Sequence, residues 1–163
     1  MDHDLTDLTD VIDGTRHVLF GFDGPLLRAE ATAWPTPYAD PLVRTLAAVG
    51  TGLAVVTGTS PAAVSRYLAG RGLADCFGPH IHGRVEDALA SLGASPAVSL
   101  LIGATPADLT AARQAGVPFL GYGRDEHHVE LLRRAGARRV VPSLEPVLTA
   151  VRAAAQRAAR LGP

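Results

Sequence analysis

Short apolar runs alternate with stretches of helical period along this chain, about six times, joined by connections of a few residues. The runs are Val18–Phe22, Leu53–Val56, Val98–Ile102, Val117–Gly121 and Arg138–Val141, with a weaker one near 76–82. Helical periods fall at 38–48, at 61–70 after Ser60-Pro61, at 85–92, at 106–115 after Thr105-Pro106, at 125–135, and after Ser143. Ser60, Thr105 and Ser143 read as helix caps, the first two followed by a first-turn proline. Such alternation specifies a doubly wound α/β domain, a parallel sheet with helices on both faces. Residues 26–37, with Pro35 and Pro37, read as irregular. Ligands of such folds sit at the carboxyl ends of the central strands, here 21–25, 57–60, 103–108 and 121–124.

Residues 17–163 form the single α/β domain in this reading. Residues 1–16 form an acidic leader in which Asp2, Asp4, Asp7, Asp10 and Asp13 precede the first arginine, and Leu5, Leu8, Val11 and Ile12 fall at helical spacing. A short amphipathic helix is expected there. The final helix carries Arg152, Arg157 and Arg160, either as a solvated face or as a contact for that acidic segment.

Composition narrows the chemistry. At 163 residues and 47% hydrophobic, the chain has matter for one core. A formal net charge of −1 gives no footprint for nucleic acid. Every basic residue is arginine, so Schiff-base lysines and the lysine of a P-loop are excluded. Without asparagine there is no N-glycosylation site. The single cysteine, Cys76, forms no internal disulfide and reads as a small buried hydrophobe in a reducing compartment. No run is long enough to span a membrane, and the acidic start is unlike a targeting peptide, so a cytoplasmic protein is expected. His80 and His82 alternate on a strand without further metal ligands near them. His127 and His128, adjacent on a helix, read as a solvated face.

Three strand ends resemble the motifs of the haloacid dehalogenase (HAD) superfamily of phosphatases. Val18-Leu19-Phe20-Gly21-Phe22-Asp23-Gly24 is similar to its first motif, an apolar strand followed by Asp-x-Asp-Gly. Val55-Val56-Thr57-Gly58 resembles the second. Leu101-Ile102-Gly103-Ala104-Thr105-Pro106-Ala107-Asp108 resembles the fourth, an apolar strand followed by Gly-Asp-x-x-x-Asp. The likeness runs from about residue 17 to 148, through Tyr67–Leu73 and Ala111–Pro118.

The departures are as informative as the matches. The resemblance places the family's nucleophilic, magnesium-binding aspartate at Gly21 and a further magnesium ligand at Ala104. Neither side chain can attack phosphorus or bind a hard cation. The motif-three lysine has no counterpart, and Arg84 is the nearest cation. What persists is Asp23, in the place of the general acid/base and now a remnant, and Asp108, a weak or vestigial metal position. Thr57, Gly58, Gly24 and Arg84 remain as a cradle for an anion. The family's cap is missing between Leu26 and Tyr38, which leaves Trp34 and Tyr38 beside an open strand-end face.

The resemblance, so modified, implies a catalytically degenerate, capless HAD-like protein. It would act as a binding, regulatory or assembly partner, through a protein partner or a second copy at the face near Trp34 and Tyr38. No cofactor is expected. Two alternatives stand beside it. One is a phosphatase with rearranged chemistry on Asp23 and Asp108 and weakly bound Mg2+. The other is a metal-free sensor of a phosphorylated small molecule. Neither nucleic acid nor membrane is expected as a partner.

Overall fold

The computed structural model describes residues 2–29 and 33–161. Six parallel strands form the main sheet: β1 (His17–Gly21), β4 (Gly52–Val56), β5 (Ile81–His82), β6 (Ser99–Gly103), β7 (Phe119–Tyr122) and β8 (Val140–Val141). Their order is β5-β4-β1-β6-β7-β8. The chain runs outward from β1 through β4 to β5, then returns to the other side of β1 for β6, β7 and β8. The switch point therefore lies between β1 and β6, where Leu19 pairs with Leu101.

Alternation along each strand divides the core in two. Val18, Phe20, Leu53, Val55, Leu100, Ile102 and Leu120 face one side. There they meet α1 (Asp2–Asp13), α2 (Ala39–Ala48), α3 (Pro61–Gly70), the short α4 (Ala74–Phe77) and α8 (Glu145–Leu161). Leu19, Ala54, Leu101 and Phe119 face the other side, against α5 (Val85–Leu92), α6 (Pro106–Ala115) and α7 (Glu126–Arg134). Phe20 closes on Phe77 edge to face at 6.1 Å, and Phe22 on Tyr67 at 5.4 Å. Phe20 and Phe77, both fully buried, each contribute about 1.5–3 kcal/mol of transfer free energy.

The helix at the start of the chain packs into this core through Leu8 and Ile12. Arg157 on α8 meets Asp13 at 2.6 Å, so the contact between the final helix and the acidic segment forms within the chain. Both partners are half exposed, and such a pair adds little stability. The acidic face falls partly on Asp2, Asp4 and Asp7, whose side chains, like that of Leu5, lie outside the described residues.

Three local expectations are corrected. Residues 26–37 are not irregular: β2 (Leu27–Ala29) and β3 (Ala33–Pro35) form an antiparallel hairpin with Arg28 opposite Trp34. Its strands are three residues each, too short for a periodic signal, and buried Leu26 and Leu27 anchor it to the core. Near 76–82, only Ile81–His82 is strand, because Ala74–Phe77 coils into α4 to bury Phe77. Ser60 precedes α3 without a side-chain cap bond, although Pro61 does take the first turn. Cys76 is half-buried at the core's edge. No helix among the described residues is long and apolar enough to cross a membrane.

Ile102 is fully buried on a strand hydrogen-bonded on both sides. Ile102→Ala should lower unfolding free energy by about 2–5 kcal/mol in urea denaturation, with the slope against denaturant unchanged.

Candidate functional site

Gly21, Thr57, Gly103 and Tyr122 stand at or just past the carboxyl ends of β1, β4, β6 and β7. Gly21 is a glycine that its surroundings do not demand. A Cβ there would lie 3.5 Å from the Ile102 carbonyl and 3.6 Å from Asp108 Oδ2, both ordinary contacts.

Gly24 is different. Its φ is +110°, and an added Cβ would fall 2.4 Å from Cβ of Ala104. The Asp23-Gly24 turn is stitched down from both sides. Gly24 N–H donates to the Leu27 carbonyl at 2.8 Å, and the buried Thr36 hydroxyl donates to the Gly24 carbonyl. Thr36 thus ties the hairpin's return to the turn after β1. Asp23, exposed, bridges to Leu27.

Asp108 is built into the start of α6. Its Oδ2 accepts from the N–H groups of Ala104 at 2.9 Å and Thr105 at 3.2 Å. Its own N–H donates to Thr105 Oγ1 at 3.1 Å, completing a capping box. Thr105 therefore caps this helix as its sequence suggests. Gly103 leaves the room for it, since a Cβ there would lie 2.7 Å from Cβ of Asp108.

A magnesium ion needs several oxygen ligands, usually including carboxylates. Here Gly21 and Ala104 offer no side-chain donor, and Oδ2 of Asp108 already holds two backbone N–H groups. Among the described residues, no three His, Cys, Asp or Glu side chains are grouped to hold a metal. The residues present do not fit the ion.

Of the four residues of the expected anion cradle, Gly24 lines the cleft described below and the other three do not. Thr57 Oγ1 accepts from Thr59 N–H at 3.1 Å and so shapes its own turn. Gly58 is exposed. Arg84 is 73% exposed, with its nearest acid, Glu86, at 3.7 Å. By contrast, Asp23, Gly24 and Ala104 line a cleft of about 180 Å³ together with Arg28, Thr105, Tyr122, Arg124 and His128.

Arg28 was not expected there; Tyr122 and Arg124 lie in the 121–124 strand end where ligands are expected, though neither was singled out. Arg28 lies in the segment read as irregular. His128 is also not simply solvated. Its N–H and Nδ1 both meet Asp125 Oδ1, at 2.9 and 2.6 Å. Burial pushes the Tyr122 phenol above its ordinary pKa, against the opposing pull of Arg28 and Arg124. The bonds from the His128 backbone and ring hold Asp125 below the usual carboxylate value. His80, away from this cleft, meets Ser91 Oγ at 2.5 Å.

Because the pKa of Asp125 is depressed in the folded state, its contribution to stability is present above the ordinary value of 3.8. That contribution is lost as pH falls through the lowered value. An acid titration followed by NMR should show the His128 amide shifting with Asp125. Asp125→Ala should abolish that transition. Asp108→Ala should cost about 0.5–2 kcal/mol in thermal or urea unfolding through the lost cap.

No protein-family model matches the chain, and no curated protein matches it significantly. Solved structures do. The 3-deoxy-D-manno-octulosonate 8-phosphate (KDO 8-phosphate) phosphatase from Yersinia pestis is 16% identical, with a TM-score of 0.65 over 93% of this chain and 88% of that one. The corresponding phosphatase from Moraxella catarrhalis, solved with magnesium, phosphate and a KDO molecule, is 17% identical. Its TM-score is 0.62, covering 96% of each chain. A conserved haloacid dehalogenase-like protein from Agrobacterium tumefaciens is 16% identical, with a TM-score of 0.64 over 85% of this chain and 98% of that one. These superpositions give the chain the haloacid dehalogenase-like fold of these structures.

Proposed function

We propose that this chain is a HAD-like protein that has left phosphoaspartyl chemistry and acts as a binding, regulatory or assembly partner. The observation that carries this reading is Gly21. It ends the central strand, where the resemblance expects the nucleophile, and a Cβ added there would make only ordinary contacts. Further support comes from its surroundings. Ala104 presents a methyl group, Asp108 is engaged as a helix cap, and the chain has no lysine to balance a phosphoryl group. The Moraxella catarrhalis neighbour was solved with magnesium and phosphate; this chain offers neither the nucleophile nor the donor set for that pairing.

Among the described residues between β1 and α2, the hairpin is the element present, which fits a capless domain with an open strand-end face. Trp34 is 64% exposed on that hairpin and Tyr38 42% exposed at the start of α2. Tyr38 holds a left-handed backbone, φ 67°, the only non-glycine among the described residues to do so. These aromatics are the surface through which a protein partner or a second copy would dock.

The expected outcome is no hydrolysis of p-nitrophenyl phosphate, with or without magnesium. Turnover that disappears in Asp23→Ala would overturn the reading in favour of rearranged phosphatase chemistry. A gain-of-function series tests the same site. Gly21→Asp places a second carboxylate beside Asp108, which is unfavourable unless a cation lies between them. Gly21→Asp combined with Ala104→Asp should lower Tm without metal and recover it with magnesium. Turnover should stay near background, because the lysine is still missing.

A further inference from the structure

A groove of about 280 Å³ lies at the other pole of the sheet, where β7 and β8 begin. Buried Leu109, Val117 and Phe119 give it an apolar floor, and Arg113, Arg138 and Arg139 give it charge. No acidic side chain is among its described lining residues. The sequence concentrates this charge. Arg113 stands in the last turn of α6, Arg133 and Arg134 end α7, and Arg138-Arg139 lead into β8.

These arginines are not equivalent. Arg113 donates to the carbonyls of Ala135 at 3.4 Å and Gly136 at 2.8 Å, in the turn that ends α7. Both acceptors are neutral, so the guanidinium keeps its positive charge, and the two bonds engage two of its five N–H donors. Gly136 is fitted to it: φ is +102°, and an added Cβ would fall 2.9 Å from Arg113 Nη2. A side chain already held in this way loses little freedom when a ligand arrives. Arg138 is exposed and has no hydrogen bond or ion pair among the described residues. Arg139 is half-buried and already engaged, and it shares an adjoining groove with Asp10. Arg134 pairs with Glu130 at 3.0 Å. The charge that the groove can offer is therefore that of Arg113 and Arg138.

We propose that this groove docks an extended acidic segment of a partner protein. Carboxylates of the segment meet Arg113 and Arg138, and one apolar side chain rests on Leu109, Val117 and Phe119. Charge selects the sign of the partner, because the planar fork of arginine matches a carboxylate and no acid in the described lining competes for it. Size selects its form. One turn of helix with its side chains fills about 500 Å³, more than the groove holds, so the segment enters extended. The apolar floor favours a peptide over a nucleic acid, whose non-specific contacts run to phosphates along a longer basic track. The groove shares no residue with the strand-end cleft, with Trp34 or with Tyr38. The proposal therefore stands apart from the question of turnover and adds a second surface, with a stated partner chemistry, to the molecule.

Fluorescence anisotropy with the full chain at low ionic strength tests it. The probe is a short labelled peptide with glutamates on both sides of a central leucine. Its companions are the same peptide with serine in place of leucine, the same peptide with arginine in place of glutamate, and an oligothymidylate. The glutamate–leucine peptide should bind with a Kd of about 1 mM or tighter and weaken as salt is added. Arg113→Gln and Arg138→Gln should each weaken it about fivefold or more. Arg152→Gln removes the same charge from α8, on the other face of the sheet, and should leave affinity unchanged. No binding of the glutamate–leucine peptide overturns the proposal. So does affinity unchanged in Arg138→Gln, an equal loss in Arg152→Gln, or equal binding of the serine or arginine peptide. Tighter binding of the oligothymidylate overturns the choice of a peptide. If Arg113→Gln does not fold by circular dichroism, Arg138→Gln decides alone, since that side chain ties nothing together in the fold.

Discussion

The central strand β1 is held by parallel ladders on both edges and buried on both faces. Leu19 and Phe20 are inaccessible to solvent, and their backbone groups pair with β4 and β6. A strand so constrained cannot shift register without turning one core layer inside out. The carboxyl end of β1 is therefore a fixed point. The turn at Asp23-Gly24, the hairpin tied to it through Thr36, and the entry to α6 beside it take their positions from that point. Chemical change at such a site is made by exchanging side chains on a conserved path of backbone.

Asp108 illustrates what that exchange involves. One carboxylate oxygen cannot both satisfy the first N–H groups of a helix and turn to a cation without leaving those groups unmet. With no carboxylate at 21 or 104, no cation is required to hold mutually repelling acids together. The same two neutral positions face a neighbouring cleft whose lining includes Asp23, Arg28 and Arg124.

Much of the fold was legible because it rests on period. Apolar runs at strand spacing gave the parallel sheet and both core layers, and Thr105-Pro106 gave the start of α6. The hairpin was not legible, since Leu27–Ala29 and Ala33–Pro35 are shorter than a periodic signal and held by tertiary contacts. With it went Arg28. The 121–124 strand end was legible as a place for a ligand, but Tyr122 and Arg124 were not singled out in it, because only the sheet order brings the end of β7 near the end of β1. Ser60 had the right chemistry for a cap, but its side chain makes no cap bond.

The antiparallel register of the hairpin has a practical consequence. Arg28 and Trp34 are directly opposed, so their side chains project from the same face of the ribbon. The chain contains a single tryptophan. Its indole is therefore an intrinsic fluorophore one cross-strand step from a residue of the cleft. Events at Arg28 can be followed by emission from the unlabelled protein, without an added dye.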